Sequence, residues 1–457
     1  MKICKRALNR IQLYNENGDV RICCFIKNDK IGNLLEQEWT EIFHGNRANE
    51  IRNKHIAKDF SECNPDACGY VACNNVSEIE IEIDGIPDYP EEIQLGFERV
   101  CNYDCTSCGV AEILRKSGRE VLEAKFKKIA DKVRDILPHV KTIGANGCGE
   151  LFASKHTLKL LSEWKPLAPK EEIRVELETN GSLFNEKNWQ QIANLGQYHL
   201  HVSITIMSFN ERTYQILSGT KLPISNLIAN LHFVKKLREQ GIINYLELAT
   251  VVQERNFREM PEFARRCVEE FGADYVRLRP YSPWGYKAPD VEWFTDIRGK
   301  YHPYHEEYLE VMQDPIFKHP KVHDLSGGRE SLLGVSPYVQ LQNKLDIFGK
   351  LLSEQNLSQK LDNLIENKCW VYGLGAPGKK AVQLLQPMGK LQGIIDEYTA
   401  CKEYCGVPVV KAGDAVVIAS DVPILLTTVG DNSNIMVFLN KTGFAKRNIY
   451  SLVDILD

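Results

Sequence analysis

The sequence predicts an α/β protein built as a partial barrel of six strand-and-helix units, with a small cysteine-rich module before it and a second, smaller α/β domain after it. Three observations lead there. Short apolar runs alternate with longer stretches of helical periodicity between residues 92 and 280; nine of the 14 cysteines stand before residue 109; and a glycine-rich turn near residue 373 opens a second alternation.

In chain order, residues 1–88 hold six cysteines, Cys4, Cys23, Cys24, Cys63, Cys68 and Cys73, and read as a separate module. Residues 89–289 follow as the barrel. Its strands are "EIQLGF", "VKTIGA", "IRVELETN", "YHLHVSITI", "NYLELATVV" and "DYVRLRP", with helical patterns such as "GREVLEAKFKKIADKVRDILPHV" and "PEFARRCVEEFG" between them. Strands spaced this way are parallel neighbours, because only a long crossover can return the chain to the same edge. Residues 290–366 read as helical and polar, with "SGGRES" and "LSEQNLSQK" as linker, and residues 367–457 form the last domain.

Composition narrows the function. With 457 residues, 43% hydrophobic and 26% charged, the chain has the makeup of a folded globular protein. A net charge of -5 offers no basic field for nucleic acid, although "RKSGRE" is a local exception. Apolar runs such as "VVIASDVPILLTTV" are interrupted short of a membrane span, and "MKICKRALNRIQ" lacks the apolar centre of a signal peptide. The expected location is the cytoplasm, where thiols stay reduced, so 14 cysteines point to metal or cluster ligation rather than disulfides.

"CNYDCTSC" places Cys101, Cys105 and Cys108 on the loop after the first barrel strand. Three thiolates neither fill a tetrahedral zinc site nor ligate all four irons of a 4Fe–4S cube, and the iron left open can take a small chelating cofactor. A zinc site with a fourth ligand elsewhere, or three cysteines of no special role, are the alternatives. The C-x3-C-x2-C spacing resembles the radical S-adenosylmethionine superfamily, as do "NGCGELF" after the second strand, "ETNG" ending the third, Ser203 on the fourth and Asn256 after the fifth. The resemblance implies a partial (β/α)6 radical S-adenosylmethionine barrel. In that family the open iron binds the amino and carboxylate groups of S-adenosylmethionine, and one electron cleaves it to a 5′-deoxyadenosyl radical that takes hydrogen from substrate. It further implies that Gly147, Gly149 and Glu150 face the S-adenosylmethionine ammonium, that Thr179, Asn180 and Gly181 match the Thr-Asn-Gly segment, and that Ser203 and Asn256 contact the nucleoside. Two departures stand out: Ser107 replaces the usual aromatic residue, leaving Tyr103 as the nearest ring, and Arg212 is at best a displaced substitute for a basic residue.

At the N-terminus, Cys4, Gly18 and Cys23 follow a C-x13-G-x4-C pattern, and "CNPDAC" adds Cys63 and Cys68. This resembles the SPASM auxiliary-cluster module, here ahead of the barrel rather than after it. The resemblance implies a second 4Fe–4S cluster on Cys4, Cys23, Cys63 and Cys68, with Cys24 and Cys73 spare or substitute ligands; a structural zinc site suits the same four thiols. In "WVYGLGAPGKKAVQLL", Gly373, Gly375 and Gly378 lie between an apolar strand and a helix, and Asp396 ends the next strand. That is the dinucleotide fingerprint, in which helix-start amides face a pyrophosphate and the acid meets a ribose hydroxyl. The domain is therefore expected to be Rossmann-like and to bind a nucleotide, a nucleotide sugar or NAD, an empty structural half being the alternative.

The expected protein is a radical S-adenosylmethionine oxidoreductase or epimerase. It would act on a carbohydrate or nucleotide sugar and draw its electron from a flavodoxin or ferredoxin, with no nucleic-acid or membrane partner. A peptide substrate is the second choice; a non-catalytic cluster- or zinc-binding nucleotide sensor is the reading from another class. Arg279, Tyr281 and Trp284, at the end of the sixth strand, are substrate-side candidates, because substrate contacts gather at the C-terminal rim of barrels.

Overall fold

The computed structural model describes residues 2–64, 68–72, 75–109, 119–145, 148–282, 287–299, 301–326, 349–350, 356–396, 399, 401–411, 422–428, 435, 439 and 449–456. Gly147, Cys73 and Trp284 lie outside the described residues. The chain divides into two compact units, Met1–Ser336 and Pro337–Asp457.

The first unit is built on one ten-stranded sheet and a two-stranded one. In chain order its strands are β1 (Lys2–Cys4), β2 (Arg10–Leu13), β3 (Asp19–Arg21), β4 (Lys30–Asn33), β5 (Glu80–Glu82), β6 (Glu92–Leu95), β7 (Thr142–Ala145), β8 (Arg174–Thr179), β9 (His199–Thr205), β10 (Tyr245–Val252), β11 (Tyr275–Pro280) and β12 (Val322–Asp324). β1 pairs with β5, and the large sheet runs β12-β11-β10-β9-β8-β7-β6-β2-β3-β4. All six expected strands, β6 to β11, are present, each parallel to the next. Two more parallel strands flank them. β2, from the cysteine-rich segment, pairs with β6, and β12, inside the stretch read as helical linker, pairs with β11. Three residues are too few to carry a periodicity, which is why β12 was not legible in advance.

One face of this sheet is apolar. Ile11, Ile93, Ile143, Val175 and Leu200 form a row in register, all 3% exposed or less. Helices cover that face; Arg119–Arg134, for example, buries Leu122, Phe126, Ile129 and Val133 along one stripe. Each such side chain contributes about 1.5–3 kcal/mol. A slip of one residue would expose the whole row, so the register is strongly specified.

The opposite face is polar. The next row along β2, β6, β7, β8, β9 and β10 reads Gln12, Gln94, Gly144, Glu176, His201 and Tyr245. Strands of a parallel sheet covered on both sides are apolar throughout. Here the alternation leaves one side polar, with Glu176 exposed to solvent.

The second unit has β13 (Cys369–Tyr372), β14 (Leu391–Ile395), β15 (Glu403–Tyr404), β16 (Val407–Val410), β17 (Ile424–Leu426) and β18 (Ile449–Ser451). Their order is β15-β16-β14-β13-β17-β18, parallel except for the β15–β16 pair. Cys369 and Val371 pack into one core and Trp370 and Tyr372 into another. Both faces are therefore covered, as in a doubly wound sheet, and the order reverses between β13 and β17.

Candidate metal centres

The loop carrying Cys101, Cys105 and Cys108 follows β6 and is tied to the loops that leave the neighbouring strands. The helix Glu211–Ser218, after β9, ends at Gly219 in the left-handed region (φ +61). Its last carbonyls would be orphaned there; instead Leu217 and Ser218 accept from the Thr106 and Asp104 amides at 2.8 and 2.9 Å. A Cβ on Gly219 would meet the Asp104 carbonyl oxygen at 2.4 Å, so no larger residue fits. Thr106 Oγ1 donates to Gln253 Oε1, after β10, at 3.2 Å, and Lys287, after β11, donates to the Thr106 carbonyl. Tyr103 is buried, and its hydroxyl is bonded to that of Tyr214.

On the other side the loop meets the glycine-glutamate segment. Glu150 N–H donates to the Val100 carbonyl at 2.6 Å, and a Cβ on Gly149 would stand 2.5 Å from the same oxygen, which explains the glycine. The Glu150 side chain accepts from Phe152 N–H at 3.1 Å, from Thr179 Oγ1 at 2.6 Å and from Asn180 N–H at 2.7 Å. Burial pushes its carboxyl above the usual range, and those three donors work against the shift. Asn180 Nδ2 donates to Asn102 Oδ1 at 3.0 Å, and Asn102 Nδ2 to Ser182 Oγ at 2.9 Å. The structure thus brings Gly149, Glu150, Thr179 and Asn180 together around the cysteine loop.

Ser203 and Asn256 are engaged elsewhere. Ser203 Oγ donates to Glu247 Oε1 on β10 at 3.0 Å. Asn256 is fully buried; its Nδ2 donates to the Met207 and Val251 carbonyls and its Oδ1 accepts from Gln253 N–H. The Asn256 amide thus holds the turn after β10. The polar face carries Glu247, 2% exposed, facing Arg277 and, at 3.6 Å, Arg279. Glu178 lies one strand away, its carboxyl raised by burial. Tyr281 is buried below this rim, its hydroxyl pushed up to about 12 by burial.

The N-terminal cysteines line a cavity. The strands β2 and β3 pair antiparallel through a turn in which Gly18 takes φ +79, so the hairpin carries Cys23 back toward Cys4. Ile26 bridges to Cys63, and Lys27 N–H donates to the Glu62 carbonyl at 2.7 Å, adding the third thiol; Cys68 follows, its N–H donating to the Asn64 carbonyl. Cys4, Cys23, Cys63, Cys68, His55 and Phe25 are among the walls of this cavity, which has a volume of about 20 Å³ and is partly open to solvent. Cys24 is exposed and not among them.

Both thiol sets fit an iron–sulfur cluster. Burial pushes Cys101 up to about 11 and Cys105 well above the usual thiol range, and the nearby thiols add to the rise. Cys63 is pushed up to about 12 by burial, with Cys68 and Cys4 adding to it. As thiolates these desolvated groups would repel one another, so a cation that draws their charge is what would let them ionise. Among the described residues no three cysteine, histidine or acidic side chains converge closely enough to share one metal ion.

In the second unit Gly373 has φ +98, and a Cβ on Gly378 would stand 1.8 Å from the Gly373 carbonyl oxygen. Gly375 precedes the helix Ala376–Leu385. Asp396 accepts from Leu374 N–H at 2.6 Å and from Thr399 N–H at 2.7 Å, so its carboxylate holds the glycine turn.

Sequence reasoning missed Glu178, Glu247, Arg277, Gln253, Lys287 and His55. The strand segments "RVELETN" and "YVRLRP" do carry a signal for Glu178 and Arg277, since a charge at every second position marks a polar face, whereas Glu247 is the single charge in "YLELATVV". The other three act through tertiary contacts and leave no local pattern.

Residues 97–267 match the radical SAM superfamily, and residues 4–69 match an iron–sulfur cluster-binding domain, SPASM. None of the curated proteins matches the chain. Among solved structures, SuiB of Streptococcus suis is similar at 14% identity and a TM-score of 0.34, over 65% of this chain and 61% of SuiB, so the chain spans about three fifths of that protein. SuiB bound to S-adenosylmethionine overlaps 73% of this chain and 76% of its own at 15% identity and a TM-score of 0.36. Methylornithine synthase (PylB) overlaps 53% and 67% at 13% identity and 0.33. Among the described residues no helix is long and apolar enough to cross a membrane.

Proposed function

We propose that this chain, a radical S-adenosylmethionine enzyme with a SPASM-like iron–sulfur module ahead of its barrel, takes hydrogen from a carbohydrate or nucleotide-sugar substrate held on the polar face of its parallel sheet. The observation that carries the reading is the row Gln12, Gln94, Gly144, Glu176, His201 and Tyr245, polar at every position but Gly144, above which stand Glu178, Ser203 and Glu247. Closely spaced amide, carboxylate and imidazole groups match vicinal hydroxyls, which both donate and accept.

Cys101, Cys105 and Cys108 would hold one 4Fe–4S cluster, and Cys4, Cys23, Cys63 and Cys68 a second. The first cluster and S-adenosylmethionine, when bound, supply the one-electron chemistry that removes hydrogen from unactivated carbon. The rest belongs to the chain. Gly149 admits a close approach of backbone, Glu150 ties two strand ends into one rigid rim, and the covered apolar face keeps the sheet in register. Asn180, its Nδ2 3.9 Å from Cys101 Sγ, lies at the edge where cofactor and substrate would meet. The glycine turn of the second unit would by itself take a nucleotide, and a flavodoxin or ferredoxin would deliver the electron.

Anaerobic reconstitution tests this. The wild type should bind about eight irons per chain, two cubes, and release 5′-deoxyadenosine on reduction with S-adenosylmethionine; Cys105→Ala should release none and Cys68→Ala should retain some. Deuterium passing from a nucleotide sugar labelled at its ring carbons into 5′-deoxyadenosine would support the substrate. Transfer only from a labelled peptide would overturn it, and no nucleoside from any mixture would favour a sensor.

A further inference from the structure

We propose that His55 is a positioning residue for the auxiliary cluster, its Nε2–H bonding the Cys63 sulfur and setting that cluster's reduction potential. The inference rests on the reading that Cys4, Cys23, Cys63 and Cys68 hold a cluster. His55 lies near the end of the helix Asn46–Ile56, and its Nε2 stands 3.5 Å from Cys63 Sγ. Both residues are buried, at 4% and 7% exposure. The ring meets Phe60 edge to face at 5.1 Å, which fixes its plane.

The tautomer follows from the partners. Nδ1 is buried with no hydrogen-bond partner among the described residues. A cluster-bound thiolate only accepts. With the proton on Nε2 the pair makes one N–H···S bond and leaves a bare lone pair at Nδ1. With the proton on Nδ1, a buried N–H is stranded and a lone pair faces the sulfur, losing on both sides. An N–H directed at a ligating sulfur draws electron density from it and favours the reduced cluster, so its removal lowers the potential.

The test is a redox titration of the two-cluster protein followed by electron paramagnetic resonance, on the wild type, His55→Leu and His55→Gln. His55→Leu should shift the auxiliary midpoint to lower potential with iron content unchanged. His55→Gln, whose amide N–H can replace the donor, should recover part of the shift. The radical-site midpoint should stay in place in both. An unmoved auxiliary midpoint in His55→Leu, with both clusters loaded, would overturn the inference. Loss of about half the iron in both variants would also overturn it by making His55 a ligand. A wild type that holds iron for a single cluster would instead overturn the reading beneath it.

Discussion

Thr179, at the end of β8, donates its hydroxyl to Glu150 at 2.6 Å, and that carboxylate is wholly buried. Two loops, proposed above to meet S-adenosylmethionine, are thereby locked to each other. Glu150→Gln puts an amide where three donors converge and leaves one unmatched. Unfolding should become easier by about 2 kcal/mol. Binding of S-adenosylmethionine should weaken by about tenfold, about 1.4 kcal/mol, in anaerobic calorimetry. Unchanged affinity would mean the rim is rigid without this link.

Lys287 donates to the Thr106 carbonyl inside the cysteine loop, and Cys105 and Cys108 lie within its field. Burial lowers its pKa below the ordinary lysine value, so the ammonium loses its proton at a lower pH than an exposed lysine would. Raising the pH through that value removes a positive charge near the cluster ligands, and the radical-site midpoint should fall. Lys287→Met should lie at the low potential throughout and show no such pH step. One unit charge at several ångströms, discounted for solvent, is worth about 1 kcal/mol.

Glu247 holds Ser203 and Arg277 on the polar face, with Arg279 3.6 Å away. Glu247→Gln removes the carboxylate bonded to Arg277, with Glu178 still within the field of Arg277 and Arg279. Substrate turnover should fall by roughly tenfold or more while 5′-deoxyadenosine still forms without substrate. Equal loss of both would place Glu247 in the S-adenosylmethionine site instead.

Gly378→Ala would drive a methyl group against the Gly373 carbonyl, a backbone atom that cannot turn aside. The second unit should lose about 3 kcal/mol of stability, visible as an earlier calorimetric transition. Iron content should stay at the wild-type level, because every cysteine assigned to a cluster lies in the first unit.

The cysteine spacings, the six parallel strands and the C-terminal glycine turn were legible in the sequence, because each is a local rule: ligand spacing, period-two alternation or backbone conformation at glycine. Gln253, Lys287 and Leu217 were not. They reach Thr106 from 147, 181 and 111 residues away, and nothing within a short window records such an approach.

By itself, then, the sequence determined which groups the protein offers: three thiols on one loop, four more near the start, and a glycine rim. Only the tertiary structure decided what surrounds them. It joined β2 to the barrel sheet, gathered alternate residues of parallel strands on one polar face, and set His55 against Cys63. The physical reason is that ligand type and strand period are properties of neighbours in the chain, whereas burial, register and charge pairing arise when distant segments compete for the same space.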